Sequence, residues 1–155
     1  MAIFDLGHFL PYRLSVLAGK VSKGFSQCYG QSFDLSIPEW RVMAHLSQAD
    51  AVSVREIHER VDMDKSKVSR AAAKLEDAGI ISKRASSKDK RLIELSLTAK
   101  GKDMMTALAK LAHDYEQTLL APLSPSERQE VDQAFSVLEN RLTIDVKPTL
   151  LKPHQ

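Results

Sequence analysis

Cysteine, long apolar runs and catalytic signatures are all scarce in this chain, and each shortage excludes something. Among 155 residues there is one cysteine, Cys28, which cannot close an intramolecular disulfide and supplies no Cys-pair metal motif. Such usage fits a reducing, cytoplasmic setting. No apolar run approaches the roughly 18 to 20 residues that a membrane span needs. The N-terminus lacks a basic region followed by an apolar core and a small-residue cleavage site, so the chain is expected to stay where it is made, with no membrane partner. Gly-rich phosphate loops, Gly-x-Ser-x-Gly elbows and His-Glu-x-x-His helices are missing, and the acidic residues are spread along solvent faces. No enzyme is expected. The five histidines, His8, His45, His58, His113 and His154, are never paired at i, i+3 or i+4, so neither a metal site nor a cofactor is expected.

What the chain does have is an uneven charge. Its net charge is only +2, but residues 65–91 hold nine Lys or Arg against three Asp or Glu, or +6. The remainder holds thirteen against seventeen, or −4. A basic segment on an acidic body is the electrostatic footprint expected for a polyanion, although a plain solvated face has the same composition. The 43% hydrophobic content suffices for an ordinary packed core, in one domain or in a small domain with an oligomerisation module.

Apolar spacing and capping signals order the chain. Residues 9–29 read as a helix, with Leu10, Leu14, Leu17, Val21, Phe25 and Cys28 three and four apart, Pro11 tolerated in the first turn, and Gly30 ending it. Ser36-Ile37-Pro38-Glu39 is a capping box that starts a helix reaching about Gln48. Ser53-Val54-Arg55-Glu56 repeats the device and starts a shorter helix anchored by Ile57 and Val61.

Asp64 is the expected N-cap of the next helix, which runs to Ala78 and stops at Gly79. Turning Val68, Ala72 and Leu75 inward leaves Ser66, Arg70 and Ala73 outward, flanked by Lys67 and Lys74. Short side chains let a helix approach a groove closely, while Lys and Arg reach phosphates and base edges. Residues 80–85 and 92–97 have strand length, and the polar turn between them, Ser86-Ser87-Lys88-Asp89-Lys90-Arg91, is expected to project. Thr98 caps a long helix to Leu120, and a third capping box, Ser124-Pro125-Ser126-Glu127, starts another through Leu142. Residues 143–155 read as a tail. Six helices and one hairpin follow, and the apolar stripes of the terminal helices point to a dimer interface.

These residues resemble the MarR (multiple antibiotic resistance regulator) family of winged helix-turn-helix transcription regulators. The carriers are Leu35-Ser36-Ile37-Pro38-Glu39-Trp40-Arg41-Val42-Met43, Met63-Asp64-Lys65-Ser66-Lys67-Val68-Ser69-Arg70, Lys74-Leu75-Glu76-Asp77-Ala78-Gly79-Ile80-Ile81, Asp89-Lys90-Arg91 and Leu95-Ser96-Leu97-Thr98-Ala99-Lys100-Gly101. Each is weak alone, and the five in order are specific. The resemblance implies a mainly α fold with a small β-hairpin wing. Residues 1–155 would form a single MarR-like domain, with a winged helix-turn-helix lobe over 36–97 and dimerisation helices over 9–30 and 99–146.

The resemblance also implies a function, that of a homodimeric, bacterial-type repressor on a pseudo-palindromic double-stranded operator, released by a small-molecule effector of the aromatic-acid kind. On that reading Ser66, Lys67 and Arg70 face the major groove, with Lys65, Ser69 and Lys74 in support. Arg91 enters the minor groove, Asp89 orients it, and Lys88 and Lys90 meet phosphates. His8, Tyr12, Arg13 and Trp40 are the candidate effector pocket. Two branches of the family fit less well. Zinc sensing would use His45 and His113, but Gln117 stands where a second histidine is expected. Peroxide sensing needs a thiol near the start of the first helix, whereas Cys28 is near its end and reads as packing or an incidental thiol. The alternative function is a winged-helix module for protein contacts, which an acidic or apolar recognition face would have favoured, or for nonspecific architectural DNA binding.

Overall fold

The computed structural model describes residues 3–61 and 63–143. Six helices and three strands follow in the order α1 (Leu10–Phe33), α2 (Ile37–Leu46), β1 (Val52–Ser53), α3 (Val54–Val61), α4 (Lys65–Asp77), β2 (Ile81–Ala85), β3 (Ile93–Leu97), α5 (Ala99–Leu120) and α6 (Pro125–Thr143). The residues up to Tyr115 form one compact unit and those from Glu116 onward a second. No described helix is long and apolar enough to cross a membrane.

All three capping boxes form with both arms. Ser36 donates its amide to Glu39 Oε2 at 3.1 Å and accepts the Glu39 amide on Oγ at 3.4 Å. The Ser53/Glu56 box closes at 2.9 and 3.1 Å and the Ser124/Glu127 box at 2.7 and 3.2 Å. These bonds hold the Glu56 and Glu127 carboxyls below the ordinary carboxylate range, because a carboxylate accepting backbone N–H bonds resists protonation.

Three boundaries depart from the expectation. Helix α1 runs through Gly30 to Phe33 and ends on Asp34, which takes the left-handed conformation at φ 51° and donates its amide to the Gly30 carbonyl. A glycine inside a helix costs only about 1 kcal/mol, and burying Tyr29 and packing Phe33 on the core outweighs it. Helix α2 stops at Leu46 rather than Gln48, with the Ser47 hydroxyl donating to the Ala44 carbonyl at 2.6 Å. The hairpin is part of a three-stranded antiparallel sheet of order β1-β3-β2, with Val52 opposite Leu95. A two-residue strand abutting a helix cap has too few residues to display a period of two.

The core of the first unit is built from one face of each element. Val42, Met43 and Leu46 of α2, Ile57 of α3, Val68, Ala71, Ala72 and Leu75 of α4, Leu95 of β3 and Leu108 of α5 are all buried. Burying each of the larger side chains contributes roughly 1.5 to 3 kcal/mol. Helix α1 adds Phe25 and Tyr29, whose rings meet edge to face at 4.9 Å. Tyr115 reaches α1 as well, donating its hydroxyl to the Val21 carbonyl at 2.9 Å in the space that Gly24 leaves open. In the second unit, α6 buries no residue.

Candidate nucleic-acid interface

Because α4 buries Val68, Ala71, Ala72 and Leu75, its opposite face is fixed by geometry. Lys65, Ser66, Lys67, Ser69, Arg70, Ala73 and Lys74 are all exposed, as the spacing predicts. Among the described residues Lys65 and Arg70 make no ion pair, so both cations are free for a polyanion.

Two members of the face are tied. Lys67 lies 3.7 Å from the Asp64 carboxylate, an exposed pair that contributes little stability. Lys74 reaches 3.3 Å from the Glu39 carboxylate, whose side chain is only 6% exposed, so a group expected in support of DNA also braces α4 against α2. Ser36, Pro38, Glu39, Lys67, Arg70, Ala71 and Lys74 line one shallow groove between the two helices.

The N-terminus of α4 corrects one expectation. Asp64 is the N-cap residue, but its side chain makes no capping bond. Its backbone carbonyl opens the helix instead, accepting from the Lys67 and Val68 amides at 2.9 and 3.1 Å. The C-terminus behaves as Gly79 predicts. With φ at 70°, Gly79 donates to the Glu76 carbonyl and Ile80 to the Leu75 carbonyl, a Schellman closure with its apolar Leu75–Ile80 contact buried.

That closure is also where α5 attaches. Thr98 Oγ1 lies 2.7 and 3.0 Å from the Gly79 and Ile80 carbonyls, and Lys100 Nζ donates to the Ala78 carbonyl at 2.8 Å. Gly101 packs so closely on the Ile80 carbonyl that a Cβ would collide with it. Thr98 and Lys100 were invisible as anchors in the sequence, since their partners lie 18 to 22 residues away.

At the wing, the buried Ser86 hydroxyl accepts the Lys88 and Asp89 amides at 3.2 and 3.4 Å and folds the chain back. Asp89 Oδ1 then accepts the Arg91 amide and Nε at 3.0 and 3.2 Å, while Oδ2 accepts Nη2 at 3.3 Å. These bonds from Arg91 hold the Asp89 carboxyl below its usual range. Arg91 is thereby aimed outward with its side chain 90% exposed. Asp89 stabilises the turn and orients the guanidinium at once. Lys88 and Lys90 are exposed beside it. Ser86 was missed as the residue that shapes the tip, although a serine two and three residues before exposed amides is the signal of an ST turn. Salt bridges from Lys83 to Glu76 at 3.0 Å and from Arg84 to Glu94 at 3.7 Å tie the wing to α4 and strand to strand.

The candidate effector residues do not share one cavity. Tyr12 and Arg13 line a groove along α1 with Leu10, Leu14, Leu17 and Lys20. His8 is exposed and paired with Asp5 at 2.7 Å. Trp40 packs on Phe25 and Tyr29 at 5.0 and 5.7 Å. Beside it the Tyr29 hydroxyl is buried without a partner among the described residues, and burial pushes its ionisation up. Cys28 is exposed, so it is no packing residue. His113 is exposed, while burial and the nearby Arg60 push the His45 ionisation down. Among the described residues no group of three His, Cys, Asp or Glu is placed to hold a metal ion.

A helix pair, an outward basic helix and a basic wing on a three-stranded sheet define a winged helix-turn-helix protein. The MarR family model matches residues 35–93, which run from the entry to α2 to the start of β3. Over that stretch the chain matches the MarR family, and its coarse function is that of a DNA-binding transcription regulator. Among its relatives, the uncharacterized HTH-type transcriptional regulator YfiV of Bacillus subtilis is 28% identical over 109 residues, 70% of this chain and 68% of that protein. The HTH-type transcriptional repressor Rv2887 of Mycobacterium tuberculosis is 28% identical over 131 residues, 84% and 91% of the two chains. A MarR/EmrR family transcriptional regulator from Acinetobacter sp. ADP1 superposes with a TM-score of 0.80 at 28% identity, covering 90% of this chain and 99% of that one.

Proposed function

We propose that the protein is a homodimeric repressor that reads a pseudo-palindromic operator with two winged helix-turn-helix lobes and releases it on binding a small aromatic acid. The observation that carries this reading is the pairing of two distinct basic heads. One is the short-chained α4 face with Ser66, Lys67 and Arg70, and the other is Arg91 held outward by Asp89. A helix of that shape fits the major groove, and a fixed guanidinium fits a narrow, negative minor groove.

Dimerisation is supported by apolar surface that water would otherwise cover. Phe9, Leu10, Val16 and Leu17 are exposed at the start of α1, and Val131, Phe135, Leu138 and Leu142 form an exposed stripe along α6 at spacings of four, three and four. Two copies would set their recognition helices roughly 34 Å apart, one turn of B-DNA. Repression draws support from the name of the mycobacterial relative, and an aromatic-acid effector from the apolar groove of α1 where Arg13 and Lys20 supply cations.

Selection of duplexes from a random pool by the purified protein tests the reading. An inverted repeat with half-sites one turn apart is the expected winner. Enrichment with no shared sequence would leave a nonspecific binder, and no retained DNA would leave a protein-contact module. Screening small aromatic acids for release of the selected duplex then tests the effector.

A further inference from the structure

We infer that His58 is a positioning residue for DNA reading, because its imidazole holds the turn from which the recognition helix starts. The inference rests on the DNA-binding reading above. Helix α3 ends at Val61 and α4 begins at Lys65, with Met63 and Asp64 leading directly into the recognition helix. The side chain expected to cap α4, that of Asp64, makes no capping bond. The turn has instead a hydrogen bond of 2.7 Å between Nδ1 of His58 and the carbonyl oxygen of Met63. A carbonyl oxygen only accepts, so Nδ1 carries the proton and donates.

His58 is half-buried and Met63 buried, which keeps water from competing freely for the bond. The Met63 carbonyl belongs to the peptide that leads into Asp64, and the Asp64 carbonyl opens α4 by accepting the Lys67 and Val68 amides. Fixing the one peptide plane fixes the direction in which Lys65, Ser66 and Lys67 leave the turn. His58 need not touch DNA to do this. Attraction to phosphates falls slowly with distance and tolerates a small shift of the helix, whereas a hydrogen bond to a base edge weakens steeply as its geometry degrades. Loss of the His58 bond therefore falls on sequence discrimination more than on general affinity.

The test titrates a duplex selected by the wild-type protein and a scrambled duplex of the same composition, with fluorescence anisotropy, for wild type, His58→Ala and His58→Asn. The Asn amide nitrogen sits near the place of imidazole Nδ1 and can donate the same bond. We expect His58→Ala to weaken the selected duplex about five- to tenfold, the scale of one hydrogen bond. The scrambled duplex and the salt slope should not change, and His58→Asn should recover most of the loss. A parallel loss on both duplexes that tracks a lower Tm would make His58 a folding residue and overturn the inference, as would the same discrimination in all three proteins. Should the Ala variant not fold, the 15N spectrum of the wild-type imidazole decides: a neutral ring protonated on Nδ1 supports the bond, and one protonated on Nε2 overturns it. Wild-type protein that does not tell the two duplexes apart defeats the DNA reading itself, and that failure is visible without any variant.

Discussion

Replacing Glu39 by Gln separates two roles of one carboxylate. Glu39 closes the α2 capping box through Ser36 and also holds Lys74 of the recognition helix at 3.3 Å. Gln keeps the box, since its amide oxygen accepts the Ser36 amide as well, and it removes the charge that holds Lys74. The Lys74 side chain is 61% exposed and screened by water, so losing the pair should cost at most about 1 kcal/mol. Glu39→Ala also opens the box and should cost roughly 1 to 2 kcal/mol, read by urea unfolding.

The effect on DNA has the opposite sign. A freed Lys74 can move to a phosphate, and each added contact steepens the salt slope by about 0.9. Affinity at 0.1 M salt would rise by up to about eightfold, which is 0.1 raised to the power −0.9. Phosphates carry no sequence, so operator and random duplex should gain alike. The assay is anisotropy titration of both duplexes across a salt series, with Glu39→Gln and wild type side by side. An unchanged slope would mean that Lys74 does not change partners when released.

Arg70→Ala should weaken operator binding by about 1 to 3 kcal/mol and relax preference at one base pair per half-site, measured against a panel of single-base variants. Arg91→Ala should weaken operators with A·T-rich flanks more than those with G·C-rich flanks, and equal loss on both would remove the minor-groove role. Gly101→Ala should destabilise the fold by about 1 to 3 kcal/mol, because the new methyl meets the Ile80 carbonyl rather than a yielding side chain. The Glu56 carboxyl is held low by Ser53, so the box is intact above the unfolded value near pH 4.3 and is lost as pH falls through the lower folded value. Glu56→Gln should therefore flatten the stability profile as pH falls below about 4.3, as chemical unfolding across the acid range would record.

What could be read from the amino-acid order was whatever is local. Each capping box spans four residues, and Val68, Ala72 and Leu75 reveal the inward face of α4 by spacing alone. Gly79 announces its positive φ because few other residues accept one. Contacts between elements left no such trace. The Lys74–Glu39 pair, the anchoring of Thr98 and Lys100 under α4, and the pairing of Val52 with Leu95 depend on how helices and strands meet. Asp64 shows the reverse error: its type and place suit a cap, but its carboxylate faces Lys67 while the cross-turn bond from His58 steadies the same junction.

Whether the α4 face and the wing read a DNA sequence is decided by the ratio of affinities for selected and scrambled duplexes as salt rises. Both affinities should fall while a ratio of roughly a thousandfold or more persists at physiological salt. A ratio that collapses toward one would contradict sequence reading and leave only electrostatic attachment.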